Sequence, residues 1–211
     1  MENIIWEPRK IEEKSMEIIE QSIDKLPLHQ LEKAVVKRIV HTTGDFEIAP
    51  YVKFSPGAAE KGAEAIKKGA SVYTDVNMLA AGISKKALEK YGGGVYCSIA
   101  SEEVIKMAKE TGKTRASTAM RLWGEKLDGQ VVAIGNAPTA LFELLKMVEE
   151  GVAFPALVVG TPVGFVGAAE SKEALMASDI PYVSIPGTRG GSTIAAAAVN
   201  AILYFKDDNN A

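Results

Sequence analysis

Apolar residues recur along this chain with two different periods, and the alternation between them sets out its architecture. From Arg9 onward Ile11, Ser15, Ile18, Ile19 and Ile23 fall on one face of a helix, and a second run, over 28–40, carries Leu31, Val35 and Ile39 at the same spacing. Phe46 to Ser55, where Pro50 and Pro56 bracket Tyr51-Val52-Lys53-Phe54, reads as an extended connection. Pro56 then opens a helix through Ala58, Ala59, Ala63 and Ile66 to Gly69. Beyond Gly69 short apolar runs take over. Strands are predicted at 70–74, 94–99, 131–134, 156–159 and 182–185, and helices at 76–82, 84–91, 101–111, 114–126, 138–150, 170–177 and 192–205. Ser101 with the glutamates after it predicts a capping box. Short apolar strands alternating with helices imply an α/β, doubly wound, mainly parallel five-stranded sheet covered on both faces. The leading helices have no strand between them, so 1–45 is expected as an N-terminal helical arm on a core at 46–205, with a loose polar tail at 206–211. With no repeat and no linker, 1–211 reads as a single domain.

Composition narrows the function. The net charge of −3 over 211 residues gives no basic face for nucleic acid or anionic lipid. The single cysteine, Cys97, rules out an internal disulfide and a multi-cysteine metal site, and its apolar strand places it in the core. Residues 1–14 lack a signal-peptide apolar segment, and the longest small-apolar stretch, 194–204, is too short for a bilayer and contains Asn200. A soluble cytoplasmic protein is expected, with no membrane or nucleic-acid partner.

In a sheet of this kind ligands bind beyond the carboxyl ends of the strands. Four loops lie there: Thr74-Asp75-Val76-Asn77-Met78, Gly135 to Thr139, Gly160 to Gly167 and Gly187 to Ser192. All are rich in small and hydrogen-bonding residues and together describe one pocket floor, although each is also ordinary turn chemistry. Arg189 followed by Gly190, Gly191 and Ser192 at a helix start is either an anion site or a capped glycine turn. Arg115, opening another helix, is a second candidate clamp. Lys172 is a third cation, with an exposed helix lysine as its default reading. Of the two histidines, His29 reads as surface. His41 ends an amphipathic helix, is followed by Thr42, Thr43 and Gly44, and suits proton transfer near neutral pH. The two hydroxyls are placed to fix its tautomer. A structural histidine is the competing reading, as is a hydroxyl bonded back to its own turn for Ser15. The phosphate-cradling GxxxxGK[ST], the dinucleotide GxGxxG and the GxSxG elbow are all absent.

Several segments, taken together, resemble the precorrin-8X methylmutases of corrin (vitamin B12) biosynthesis: Lys14 to Ile19, Arg38 to Asp45, Thr74 to Met78, Thr114 to Ser117, Ile134 to Leu141, Pro162 to Lys172 and Arg189 to Ser192. The likeness runs from Ser15 to Ala201. It implies a flavodoxin-like winding, a homodimer, no cofactor of its own, and an isomerase that moves a methyl group from C-11 to C-12 of a polycarboxylate corrin-ring precursor by a sigmatropic shift. The family's catalytic histidine aligns with His41, which would protonate a ring nitrogen. Ser15 and Arg115 match family positions at the substrate. Arg38, Thr42, Thr43, Thr74, Asp75, Asn136, Thr139, Arg189, Gly190 and Gly191 join the candidate site from their places beside the motifs. Pro162, Val163 and Phe165 are candidates for an apolar wall, with Phe165 equally readable as core. Pro186 and Thr188 depart from the family pattern, so carboxylate contacts in that loop differ. The short threonine-rich form is more similar to the branch whose substrate carries cobalt, a metal that belongs to the substrate. A non-catalytic tetrapyrrole carrier on the same scaffold, and a flavin- or phosphate-binding module, are the alternatives. Neither needs His41.

Overall fold

Alternate residues of the central strands face opposite ways, and each set finds its own layer of helices. On β4 (Val131–Ile134), Val131 and Ala133 join one apolar cluster and Val132 and Ile134 another; on β5 (Leu157–Gly160), Leu157 and Val159 join the first and Val158 the second. The structure, a computed structural model, describes residues 5–205, so the expected tail at 206–211 lies outside the described residues. Around these strands stand β1 (Lys53–Phe54), β2 (Val72–Thr74), β3 (Val95–Tyr96) and β6 (Tyr182–Ser184), in the order β1-β6-β5-β4-β2-β3. Neighbours pair in parallel from β6 to β3, with Val72 opposite both Val95 and Val131, and Val131 opposite Leu157.

The sheet is mixed and six-stranded, where five strands are expected. The extra strand is β1, antiparallel to β6 with Lys53 opposite Ser184 and Phe54 opposite Val183. Its two residues, between prolines that cannot donate to a ladder, are too few to show a period. Prolines at such a place are tolerated because β1 is an edge. Cys97 falls just past β3 and is half-buried, not in the core, because β3 ends at Tyr96.

The helices are α1 (Pro8–Ile23), α2 (Gln30–Thr43), α3 (Ala58–Lys67), α4 (Asn77–Gly82), α5 (Lys85–Glu89), α6 (Glu102–Thr111), α7 (Arg115–Trp123), α8 (Pro138–Glu149), α9 (Ala168–Met176) and α10 (Ser192–Tyr204). One cluster gathers α2, α3, α4, α5 and α10 on one face of the sheet, and the other gathers α7, α8 and α9 on the opposite face. The N-cap of α6 is Ser101, which accepts from the Val104 amide. Position N3 is therefore Val104, and the expected capping box is only a serine cap. His29 is exposed, and its amide donates to Glu32 at the start of α2.

Helix α10 lies in the middle. It is apolar around its whole circumference, with Ile194, Ala195, Ala198, Val199 and Ile202 all buried, as a helix covered on all sides must be. The sheet covers one side and α2 another. Helix α2 is therefore a layer helix, and the peripheral element is α1. Only Ile19 and Ile23 of its stripe are buried, while Ile11 and Ile18 remain 46% and 47% exposed. Glu20 on α1 pairs with Lys33 and Lys37 on α2, and the hydrogen bond from Lys33 pulls its carboxyl below the usual range. The one polar side chain set well into α10, Asn200, accepts from the Ser84 amide at 3.0 Å and donates to the Gly82 carbonyl at 2.8 Å, joining α4 and α5 to the central helix. Asn200→Ala removes both partners and is expected to cost about 1–3 kcal/mol, read as a lower urea midpoint with the m-value unchanged.

Candidate active site

Beyond the carboxyl ends of β2 and β4 the chain reverses its direction of travel across the sheet, and a carboxylate bridges the gap. Asp75, fully buried, accepts from the amides of Gly135 at 3.2 Å, Asn136 at 2.8 Å and Ala137 at 2.7 Å. Burial pushes its carboxyl above the usual range, and the three amides pull it back. The negative charge also faces the N-terminus of α8, where the helix dipole favours it. Thr74, also fully buried, donates to the Tyr96 carbonyl at 3.1 Å. The sequence places both residues against substrate. The structure turns them inward, where Asp75 satisfies the amides of the loop after β4 and Thr74 the carbonyl at the end of β3.

The four strand-end loops are in contact. The Thr161 amide donates to the Ile134 carbonyl at 2.8 Å, the Gly191 amide to the Thr161 carbonyl at 2.8 Å, and the Gly164 amide to the Thr188 carbonyl at 3.2 Å. Glycine is required for this closeness. A Cβ at Gly190 would stand 2.2 Å from the Thr161 oxygen, and one at Gly135 2.7 Å from the Ser192 Cα. On the outside of these loops Asn136, Thr139, Val163 and Arg115 are exposed. Thr114 caps α7 and meets the Thr139 hydroxyl at 2.8 Å, which brings Arg115 beside the β4–α8 loop. Phe165 is 93% exposed, so it is not core; Pro162 is buried and offers no wall.

His41 lies in the last turn of α2, which ends at Gly44 in the left-handed conformation (φ 64°). The imidazole is exposed and lines a cavity of about 220 Å³ with Ser15, Ile18, Ile19, Val40, Gly44 and Phe46. Two residues far apart in the chain, Ser15 and His41, are thus brought together. The Ser15 hydroxyl donates back to the Ile11 carbonyl at 2.8 Å. Neither threonine holds the imidazole. The Thr43 hydroxyl is engaged by the Ile39 carbonyl and the Asp45 amide, because a helix-end hydroxyl reaches its own turn more easily than a side chain behind it. Thr42 is exposed. Arg38 points elsewhere: it approaches Glu12 at 3.7 Å and lines a different hollow with Met16, Lys37 and Tyr204.

Arg189 links the loops to the histidine side. Its guanidinium stands 3.8 Å from Asp45 and 3.9 Å from Glu47, and 5.6 Å from the Tyr51 ring centre. Asp45 in turn caps Phe46–Tyr51, which follows His41's helix as a 3-10 segment and not as the expected extended connection, because the Asp45 side chain accepts from the Glu47 amide and starts a turn. Lys172, expected on the surface, is fully buried, and its ammonium donates to the Arg189 carbonyl at 2.6 Å. Burial lowers its pKa to about 8. Sequence reasoning named it as a third cation but missed its burial, although a signal was present: Ala168, Ser171, Lys172 and Leu175 share one buried helical face. The triad of Glu143 with Lys113 and Arg121 was also missed; it clamps α8 to α7 through the buried Glu143 carboxylate. Among the described residues no group of three His, Cys, Asp or Glu is arranged to hold a metal ion, and no helix is long and apolar enough to cross a membrane.

Asp75→Ala is expected to lower stability by about 3–5 kcal/mol, since three amides at the start of α8 lose their acceptor together. Asp75→Asn, which still offers one oxygen, should fall between this and the wild type in urea unfolding.

The comparisons with known proteins converge. The model of the family described as precorrin-8X methylmutase matches residues 10–205. A cobalt-precorrin-8 methylmutase of Priestia megaterium is 42% identical over 201 residues, covering 95% of this chain and 89% of that protein. A precorrin-8X methylmutase of Pseudomonas aeruginosa is 47% identical over 179 residues, covering 84% and 85%. The crystal structure of a precorrin-8X methylmutase from Thermus thermophilus superposes with a TM-score of 0.86 at 42% identity, covering 92% of this chain and 94% of the other. With its helices, its mixed sheet and the His41 segment in place, the chain belongs to the precorrin-8X methylmutase family of isomerases in cobalamin biosynthesis.

Proposed function

We propose that this methylmutase moves a methyl group from C-11 to C-12 of a precorrin-8 macrocycle, with His41 donating a proton to the ring nitrogen beside the migrating carbon. The observation that carries the reading is the shared cavity of His41 and Ser15, lined otherwise by Ile18, Ile19, Val40 and Phe46. An exposed imidazole at an apolar edge suits a flat ring: the hydrocarbon walls take its face, and an imidazole N–H meets its nitrogen. Protonation draws electrons from the ring and lowers the barrier to migration. Arg115 and Arg189, on loops at the strand ends, are the partners for the acetate and propionate fringe, as planar guanidinium groups suit carboxylates. Asn136, Thr139 and the Gly190–Gly191 amides complete the polar rim, and Val163 and Phe165 provide apolar surface. The protein supplies no cofactor in this reading; cobalt, when present, arrives in the substrate, and we assign the cobalt-containing ring as the preferred one. The order β6-β5-β4-β2-β3 supports a flavodoxin-like winding. The single cysteine suits a reducing cytoplasm.

A cavity of about 220 Å³ is smaller than sites for ligands of this size, which run to roughly 300–1,000 Å³. Ile11, Ile18, Phe46 and Phe165 around the candidate site are all exposed. A second copy of the chain that covers this apolar surface would deepen the cavity, and the functional unit is assigned as a homodimer on that basis. Sedimentation equilibrium is expected to give twice the chain mass; a monomer at micromolar concentration, fully active, would overturn it.

His41→Asn keeps the size of the side chain and removes its acid. The turnover number is expected to fall about 10²- to 10⁴-fold, with substrate binding retained. Ultraviolet–visible titration with precorrin-8 substrates, with and without cobalt, reads both quantities. Binding without conversion by the wild type on both substrates would leave a tetrapyrrole carrier.

A further inference from the structure

A lysine without solvent contact is expensive to keep charged, so its one contact identifies what it is for. Lys172 reaches from α9 across to the β6–α10 loop and donates to the Arg189 carbonyl at 2.6 Å. The same loop is tied on either side of that point, by Gly191 to the Thr161 carbonyl and by the Thr188 carbonyl to Gly164. The backbone of Arg189 is therefore held from three directions. Its side chain is not. The side chain is 48% exposed and its guanidinium stands at 3.8–3.9 Å from Asp45 and Glu47, loose pairs that an incoming carboxylate can replace at little cost.

We propose that Lys172 is a positioning residue of the methylmutase: by holding the Arg189 carbonyl from beneath, it presents the Arg189 guanidinium beside the turn that follows His41, ready to take a carboxylate of the substrate. This rests on the reading of Arg189 as a substrate contact. A rigid backbone carrying a loosely paired guanidinium is the arrangement such a role needs, since the ordering of the loop is complete before the ligand arrives. Asp45 and Glu47 keep the arginine extended until then.

Lys172→Met keeps the length and burial of the side chain and removes the donor. Brief native digestion with trypsin, with the cut after Arg189 followed by mass spectrometry, is expected to run at least about fivefold faster in the variant as the loop loosens. The KM is expected to rise about tenfold with kcat within about twofold. In an Arg189→Gln background the same substitution is expected to add less than about twofold, because the two act through one contact. Lys172→Gln keeps an N–H donor one atom shorter; it is expected to recover part of the KM, and it carries the test if methionine at so buried a place prevents folding. Cleavage and KM both at wild-type values in the variants would overturn the proposal. So would a KM penalty undiminished in the Arg189→Gln background, which would mean a general loss of structure. A wild-type KM for Arg189→Gln alone would overturn the role in the reaction through the site reading itself, and the cleavage rate would then show whether Lys172 holds the loop regardless.

Discussion

The Asp75 carboxylate, buried between the ends of two strands and bonded to three consecutive amides, is the constraint on which the strand-end surface depends. An ionised group without water is costly unless its lone pairs are filled, and here three consecutive N–H groups of the neighbouring loop fill them. The two needs meet only when β2 and β4 lie side by side and α8 starts at Pro138. Lys172 makes the mirror-image contact two strands away, a buried cation bonded to a backbone carbonyl in place of a buried anion bonded to amides. Each charge fastens a loop it does not belong to. The result is a surface whose polar rim is held from below.

What those loops rest on is apolar and closely packed. Helix α10 is alanine-rich on the sides that meet other elements, and small side chains let α2 lie against it while the sheet holds its other face. This ties the end of α2 that carries His41 to the sheet. The imidazole is thus carried on a rigid element, as the proposed proton transfer would require, whereas the groups proposed for the carboxylate fringe sit on loops that can adjust. Helix α1 is the exception. It brings Ser15 to the cavity but buries only the end of its stripe, and leaves Ile11 and Ile18 uncovered.

The sequence by itself determined the elements and the class of fold. The periods of 3.6 and two placed the ten α-helices of the described residues to within a few residues, and the strands at 131–134, 156–159 and 182–185 almost to the residue. It failed at β1, whose two residues carry no period, and at the lengths of β2 and β3, where apolar residues continue past the ladder. It also singled out His41 and Ser15, through motifs that record a chemistry and not a shape. What only the tertiary structure decided was the direction in which polar groups point. Thr74, Asp75, Pro162 and Lys172 read as surface or substrate contacts and are buried; Arg38 reads as a neighbour of His41 and lines another hollow. A side chain's facing within a loop follows from which backbone groups lie across the gap, and those come from segments tens of residues away. Local pattern carries no record of them, because the hydrogen bonds that settle the matter form only after the strands have taken their order.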